Sequence, residues 1–427
     1  MTPRSALHAA WTDRLATVRW FGGKGAGARV AALEPLPWWT PHGAPVGVRS
    51  EIATIAYPDG RTEHYHLLVA HRTPDAGAPT GVDVLGTDGS GALVTDATSD
   101  AEALAAFVAA TAPDFADAAV HVWSGEQSNT TLTLGGTDLY KLFRKVEPGP
   151  NLDTEVLVAL HGSRVPQVRH RLIADWPAGT TTDLGLIMER VPDATDGWVL
   201  ATAACAAERD FTDEAYGLGV ALREVHARLR DAFGVETASG DDLADLMGVR
   251  LAAAAGEAAE LAGHADALGA RFDALRGREL ATQRVHGDFH LGQTLAGPTG
   301  WTIIDFEGEP AKTAAERRAF DSVWRDVAGM TRSFDYARSA HAEPSGPPAT
   351  RWADDAREAF LRGYCEGTTP GDVLAAYETD KAIYEVIYEL RNRPDWVAIP
   401  LRAISAAGES YDHSTHDHST HDHSKER

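Results

Sequence analysis

Between Val285 and Pro310 the sequence VHGDFHLGQTLAGPTGWTIIDFEGEP brings four histidine or aspartate side chains and two glutamates into twenty-six positions. The chain already carries a formal charge of -23, so more carboxylates in one segment repel unless a cation is held among them. His286 and Asp288 are separated by one glycine, Gln293 follows Asp288 by five residues, and Asp305 closes the apolar run WTII. A loop aspartate can orient an alcohol and accept its proton. An amide oxygen and a second carboxylate are the hard ligands that Mg²⁺ prefers. Residues of these types at this spacing suit phosphoryl transfer to a hydroxyl.

The order matches H-R-D-x-x-x-x-N, the catalytic loop of kinases, with glutamine in place of asparagine. Asp288 is then the catalytic base, Gln293 a metal ligand, and Asp305-Phe306 stands where that pattern puts the Mg²⁺-binding aspartate. Taken alone, His-Gly-Asp is usually a turn and Asp-Phe a strand end; their order and spacing together argue for the site.

Upstream elements must then hold ATP. VHVWSGEQSNTTLTLGGTDLYKLF reads as strand 118–123, a polar loop 124–129, strand 130–134, a Gly135-Gly136 turn and strand 138–145. Lys141 lies on the third of these strands, flanked by apolar residues, and is expected to orient the ATP phosphates. A helix starting near Asn151 carries Glu155, the expected partner of Lys141. The loop SGEQSNTT has a single glycine, and Ser128, with Ser124 and Asn129, is the candidate phosphate contact. Lys145 is a rival for the lysine role at what looks like a strand end. GLIMERV reads as a buried strand running to Val191 and into a hinge, where the Glu189 carbonyl and Val191 amide face an adenine edge.

The rest of the chain supplies the scaffold. VRSEIATIAYPDG and TEHYHLLVAHRT read as strands joined at Pro58-Asp59-Gly60, and a short helix follows over about 100–112. From Trp198 alanine-rich helices dominate, with Tyr216, Leu218, Val220, Leu222, Val225 and Leu229 near one face of DEAYGLGVALREVHARLRDAF. DDLADLMGVRLAAAAGEAAELAGHADALGARFDALRG reads as one long helix or two. His226 is expected to be a satisfied core histidine, and Asp321, Arg325 and Asp326 to brace the catalytic loop; His290 is a candidate for orienting it. The expected fold class is α+β, bilobal, with a mainly helical second lobe.

With 427 residues and 44% hydrophobic content, the chain is long enough for two or three compact units. Its negative charge disfavours nucleic acid and anionic membrane as partners. Cys205 and Cys365 are too few for a disulfide framework and suit a reducing cytosol. The N-terminus lacks the apolar run of a signal peptide, and no stretch approaches the ~20 apolar residues of a membrane helix. The expectation is a cytoplasmic protein whose partners are small molecules.

VHGDFHLGQTL and IIDFEGEP, with WFGGKG near the start and YEVIYELRNRPDWVAIPL near the end, resemble the maltokinase-like group of the aminoglycoside-phosphotransferase, protein-kinase-like superfamily. The resemblance spans about 10–402. It implies an N-terminal cap (1–90), an intermediate subdomain completing the ATP-binding lobe (91–195), a helical lobe with the sugar site (196–410) and a disordered histidine-rich tail (411–427). Trp20, Gly22, Gly23 and Lys24 then belong to the cap, since FGGKG lacks the length and hydroxyl of a Walker loop. ATP and Mg²⁺ phosphorylate a saccharide in this group. Maltokinases act on maltose, and a related branch acts on glucosamine. YEVIYELRNRPDW resembles that branch, which implies amino-sugar contacts at Glu385, Asn392 and Trp396, while the base Asp288 meets the acceptor hydroxyl. The spacing of Glu385, Tyr388, Glu389 and Asn392 is that of one helix face, and a carboxylate favours an ammonium group. The plainer alternative pairs Glu385 and Glu389 with Lys381 and Arg393 and packs Trp396 in the core. Maltose, a cationic antibiotic, or a catalytically silent binding module remain the other readings.

Overall fold

The alternation in VGVRSEIATIA and TEHYHLLVAHR produces antiparallel strands Val46–Ala56 and Thr62–Arg72, in register from Val46 opposite Arg72 to Ala56 opposite Thr62. The computed structural model describes residues 3–418 except 42, 126, 127, 163, 310, 311 and 368–370. The first sheet has the order Arg29–Trp38, Val46–Ala56, Thr62–Arg72, Leu93–Asp96, Val84–Thr87. The helix Pro3–Thr17 buries Trp11 and Leu15 against its apolar face.

A second five-stranded antiparallel sheet runs Val120–Val122, Thr130–Leu134, Asp138–Leu142, Thr181–Glu189, Val168–Asp175. The expected third strand ends at Leu142 rather than 145, and the reason is Arg144. Its buried guanidinium donates to Thr130 Oγ1 at 2.8 Å and to the His66 carbonyl at 3.1 Å. The chain there leaves one sheet for the other, with His66 N–H donating to the Arg144 carbonyl at 2.8 Å and Val146 N–H to that of His64 at 2.9 Å. GLIMERV likewise stops pairing at Glu189, two residues before Val191. The regions expected as cap and intermediate subdomain, each with its own sheet, lie within one compact unit, Met1–His161 with Pro166–Pro192.

The other unit, Gly162–Val165 with Asp193–Arg427, is mainly helical. In the helix Thr212–Phe233 the stripe Leu218, Leu222, Val225 and Leu229 is fully buried. Tyr216 is exposed and Val220 half-buried, a correction to the expected face: a period of 3.6 turns both away from a stripe that steps by four and three. The long alanine-rich segment resolves into Gly240–Glu257, Ala259–Ala262 and Ala265–Asp273. Hairpin strands Thr294–Gly297 and Gly300–Ile303 carry the stretch that ends in Asp305. The final helix, Ala398–His418, enters the tail expected to be disordered from 411, since no proline follows Pro400 to stop it. Residues 419–427 of that tail lie outside the described ones.

Candidate active site

The loop bearing Asp288 is fixed by Asp326, in the first turn of the helix Trp324–Ala337. Asp326 Oδ2 accepts the His286 backbone N–H at 2.7 Å and Oδ1 accepts that of Gly287 at 2.8 Å. His226 Nε2 bonds the same Oδ2 at 2.9 Å, and its Nδ1 bonds the Tyr364 hydroxyl at 2.8 Å. Burial pushes the Asp326 carboxyl up, but the bond and charge of His226, with the Gly287 N–H, outweigh it and leave its pKa lowered. Gly287 takes φ +85°, a conformation that L side chains resist. Gly329 lets the bracing helix approach, because a Cβ there would sit 2.4 Å from the Phe289 carbonyl oxygen. His226 is therefore a satisfied core histidine, and it orients the carboxylate that in turn orients the loop.

His286 packs between Phe289 and Phe306, with ring centroids 5.4 and 4.8 Å away. Its Nε2 lies 2.9 Å from the Ile304 carbonyl, an acceptor, which assigns the proton to Nε2. Nδ1 then accepts the Asp288 N–H at 3.4 Å. One imidazole thereby ties the catalytic loop to the strand end before Asp305. Asp305 holds φ +64°, a left-handed conformation that costs a non-glycine residue about 1–2 kcal/mol and aspartate less than most. Gln293 Nε2 donates to Asp305 Oδ2 at 3.4 Å, and the Gln293 carbonyl accepts the Ile304 N–H at 3.0 Å. The structure thus brings Gln293 and Asp305 together. An aspartate beside an amide is an all-oxygen donor set, which fits Mg²⁺ and not a soft metal.

Asp288 opens onto a cavity of about 840 Å³. The helix Gly371–Asn392 lines it with Lys381, Tyr384, Glu385, Tyr388, Glu389 and Asn392, and Trp396 and His290 also face it. Lys381 Nζ lies 3.8 Å from Asp288 Oδ1. Glu385 is buried and paired with Arg332, whose Nη2 is 2.8 Å from Oε2. Burial drives the Glu385 carboxyl up despite Arg332 and Lys381, so its pKa is raised. Glu389 accepts from Arg393 Nη2 at 2.6 Å and from the Tyr336 hydroxyl at 3.0 Å. Trp396 is half-buried and stacks on Tyr336, centroids 6.2 Å apart at 22°, so it is not core packing. Asn392 Nδ2 donates to the Tyr388 carbonyl at 2.9 Å.

The pairings differ in part from expectation. Glu389 does pair with Arg393, but Lys381 faces Asp288, and the close partner of Glu385 is Arg332, which sequence reasoning missed. Arg332 comes from another helix, and nothing in its local sequence marks it. Glu309, left without a role, lines the same cavity beside Lys312 at 3.2 Å. Burial raises its carboxyl, yet Lys312 and Lys381 bring it below the usual range. His290 accepts the Gly292 N–H through Nδ1 at 3.1 Å and so shapes the loop.

In the first unit, Lys141 Nζ lies 2.9 Å from Asp153 Oδ2, two residues before Glu155. Asp153 is fully buried in the first turn of the helix Leu152–Ala159, capped by Asn151, and Glu155 is half-buried in that turn. Asp153 escapes a sequence reading because the kinase pattern points to the helix glutamate. Ser128 is exposed, whereas Asn129 is buried with Oδ1 accepting the Arg144 N–H at 3.1 Å. Through this oxygen Asn129 anchors the strand. Glu189 ends its strand, and Val191 follows after Arg190, whose N–H donates to Thr137 O at 2.9 Å. Lys145 pairs with Glu63 at 2.8 Å, away from Lys141's strand face. Lys24 donates to the Arg19 carbonyl, and Trp20 lies under the Arg144 guanidinium at 4.6 Å, both within the cap.

The fold has solved counterparts. A glucosamine kinase in complex with glucosamine, ADP and inorganic phosphate superposes with a TM-score of 0.61, covering 93% of this chain and 98% of that one at 21% identity. A second crystal form of a glucosamine kinase gives 0.62 over 93% and 99%. The fold is that of the glucosamine kinases. Among curated proteins, the glucosamine kinase of Streptacidiphilus jiangxiensis is 31% identical over 145 residues, 31% of this chain and about a third of that relative's length. The glucosamine kinase of Mycolicibacterium smegmatis is 28% identical over 322 residues, 66% of this chain and 77% of the relative. No family model matches the chain.

Proposed function

We propose that the chain is an ATP-dependent sugar kinase that phosphorylates glucosamine to glucosamine 6-phosphate. One observation carries this reading: Asp288, Glu385, Asn392 and Trp396 line a single cavity, so the base and the expected amino-sugar contacts address one ligand. The similar glucosamine kinases support it. Asp288 orients the acceptor hydroxyl and takes its proton as the new O–P bond forms and the bond to ADP breaks. Lys141, held by Asp153, neutralises ATP phosphate charge, while Ser128, Glu155, Glu189 and Val191 complete the nucleotide contacts. Asp305 and Gln293 would hold Mg²⁺, which would supply neutralisation of phosphate charge. Glu385 faces the ammonium group, and the Trp396 ring suits the C–H side of a sugar.

ADP release in a coupled assay, compared for glucosamine, glucose, maltose and an aminoglycoside, tests the acceptor. Glucosamine should show the highest kcat/KM. Asp288→Ala and Asp305→Ala should abolish turnover while the melting curve stays cooperative. Wild-type turnover in either variant would overturn the catalytic roles, and silence with every acceptor would leave a binding module.

A further inference from the structure

A second cavity, of about 470 Å³, lies among the helices of the same unit. Arg271, Arg332, Arg338 and Arg357 line it, from four different elements. Two of its carboxylates are already committed: Asp335 to Arg332 at 2.7 Å and Arg338 at 2.9 Å, and Glu378 to Arg357 at 3.0 Å. Arg271 and the adjoining Arg402 are not so served. Arg271 Nη2 donates to the Ala407 carbonyl at 3.2 Å, but its Nε is buried with no acceptor among the described residues. Arg402 Nε and Nη2 are buried in the same condition. Arg402 directly precedes Ala403 and Ile404, which line the cavity, and burial, then the nearby charge of Arg338, lowers its pKa.

Buried guanidinium N–H groups without acceptors are destabilising, and the anion that best supplies several acceptors at once is a phosphate group. In a chain of charge -23, such a cluster is not a general basic surface. Alanines 353, 375, 382, 403, 406 and 407, with Thr331, Thr379 and Ile404, form most of the remaining wall and leave room for a body behind the phosphate. Asp354 also lines the wall, where burial pushes its carboxyl up against the opposing charges of Arg338 and Arg357.

We infer that this cavity binds a small phosphorylated metabolite, a phosphomonoester of sugar size or less, and signals to the acceptor site through Arg332. Arg332 belongs to both places, since it lines this cavity and pairs with Glu385, which lines the other. An anion that draws Arg332 away leaves the buried Glu385 carboxylate without its main counter-charge. That carboxylate is then less neutralised and holds an ammonium group more tightly. The bound anion therefore lowers KM for glucosamine and leaves kcat unchanged. Binding stands independently of the sugar-kinase reading, and only the coupling rests on it.

The test is calorimetric titration of the full chain with inorganic phosphate, glucosamine 6-phosphate and fructose 6-phosphate. Wild type should bind at least one of them, and Arg271→Gln/Arg402→Gln should weaken that binding at least tenfold while basal kcat and KM stay within twofold. The tightest ligand distinguishes free phosphate from a sugar phosphate. Ala407→Glu, which adds a carboxylate to the wall, should also weaken binding and serves if the arginine variant does not fold. Binding equal in wild type and variants, or none with any probe, overturns the site. With the bound anion saturating, KM for glucosamine should fall at least threefold in wild type only. An unchanged KM overturns the coupling, whereas absence of glucosamine turnover would count against the proposed function and not the site.

Discussion

Glu385→Gln separates amino-sugar recognition from scaffolding, because it removes one charge and keeps the shape. A hydrogen bond to a charged group contributes ~1.5–3 kcal/mol against ~0.5–1.5 for a neutral one, so the difference is about 1–1.5 kcal/mol. Arg332 at 2.8 Å already neutralises part of the Glu385 charge, which favours the lower end. The ratio of kcat/KM for glucosamine over glucose should therefore fall about 5–10-fold. The loss should fall on glucosamine alone, since glucose offers Glu385 no charge. Arg332 keeps Asp335 at 2.7 Å, so the variant does not strand a buried cation. Its stability should drop by less than the ~3–5 kcal/mol of a broken buried pair. Steady-state kinetics with both sugars, well below the measured melting temperature, gives the ratio. If the ratio is unchanged, or both sugars lose equally, Glu385 is merely the counter-ion of Arg332. The raised Glu385 pKa adds a check: the preference should fade on acidification at a pH above the ordinary carboxylate range.

Asp326→Ala deprives the His286 and Gly287 N–H groups of their acceptor; at ~1–3 kcal/mol per unsatisfied buried donor, urea unfolding should show a loss of about 2–6 kcal/mol together with a fall in kcat. The Asp326 carboxyl is lowered in the folded state, so its contribution is complete above the ordinary carboxylate pKa and lost as pH falls through the folded value; Asp326→Asn should flatten that acid limb. His66 is buried against Ser50 Oγ at 2.7 Å, and burial, with Arg144, pulls its pKa down to about 3. It stays neutral when folded, so unfolding near pH 5 takes up a proton; stability is lost as pH falls from the unfolded value towards about 3, and His66→Gln should reduce the proton uptake at pH 5 by about one. Raising salt should raise KM for glucosamine, whose attraction to the acidic chain is screened within about a Debye length of 10 Å at 0.1 M, and a KM independent of salt would count against electrostatic steering.

Much of the catalytic loop was legible because its residues act at short sequence separation. His286, Asp288, Gln293 and Asp305 span twenty residues, and the hairpin between them forces Gln293 and Asp305 together. Lys141 was legible from strand alternation. What stayed hidden depends on long-range packing. Asp326 reaches His286 across forty residues and Arg332 reaches Glu385 across fifty-three, and no local periodicity encodes either. Asp153, close to Lys141, escaped notice because a pattern match favours the glutamate of the same helix turn. Only the Arg144 N–H shows what the Asn129 side-chain oxygen does.

The crowding of carboxylates now has a physical resolution, with a consequence for specificity. Each acid facing the acceptor cavity has its own cation: Asp288 has Lys381 at 3.8 Å, Glu309 has Lys312 at 3.2 Å, Glu385 has Arg332 at 2.8 Å, and Glu389 has Arg393 at 2.6 Å. Pairing stabilises four charges that would otherwise repel or take up protons. It also means that an incoming ammonium group meets carboxylates already partly neutralised, so charge supplies only part of the discrimination. The rest must come from geometry. Lys381, Glu385, Tyr388 and Asn392 are carried by one 22-residue helix, and the Trp396 face stands just beyond its end. A rigid helix sets the distance between the residue at the reacting hydroxyl and those at the far side of the sugar. On the proposed sugar-kinase reading, selectivity among saccharides would follow from that fixed span, with Glu385 adding a preference for a positive substituent.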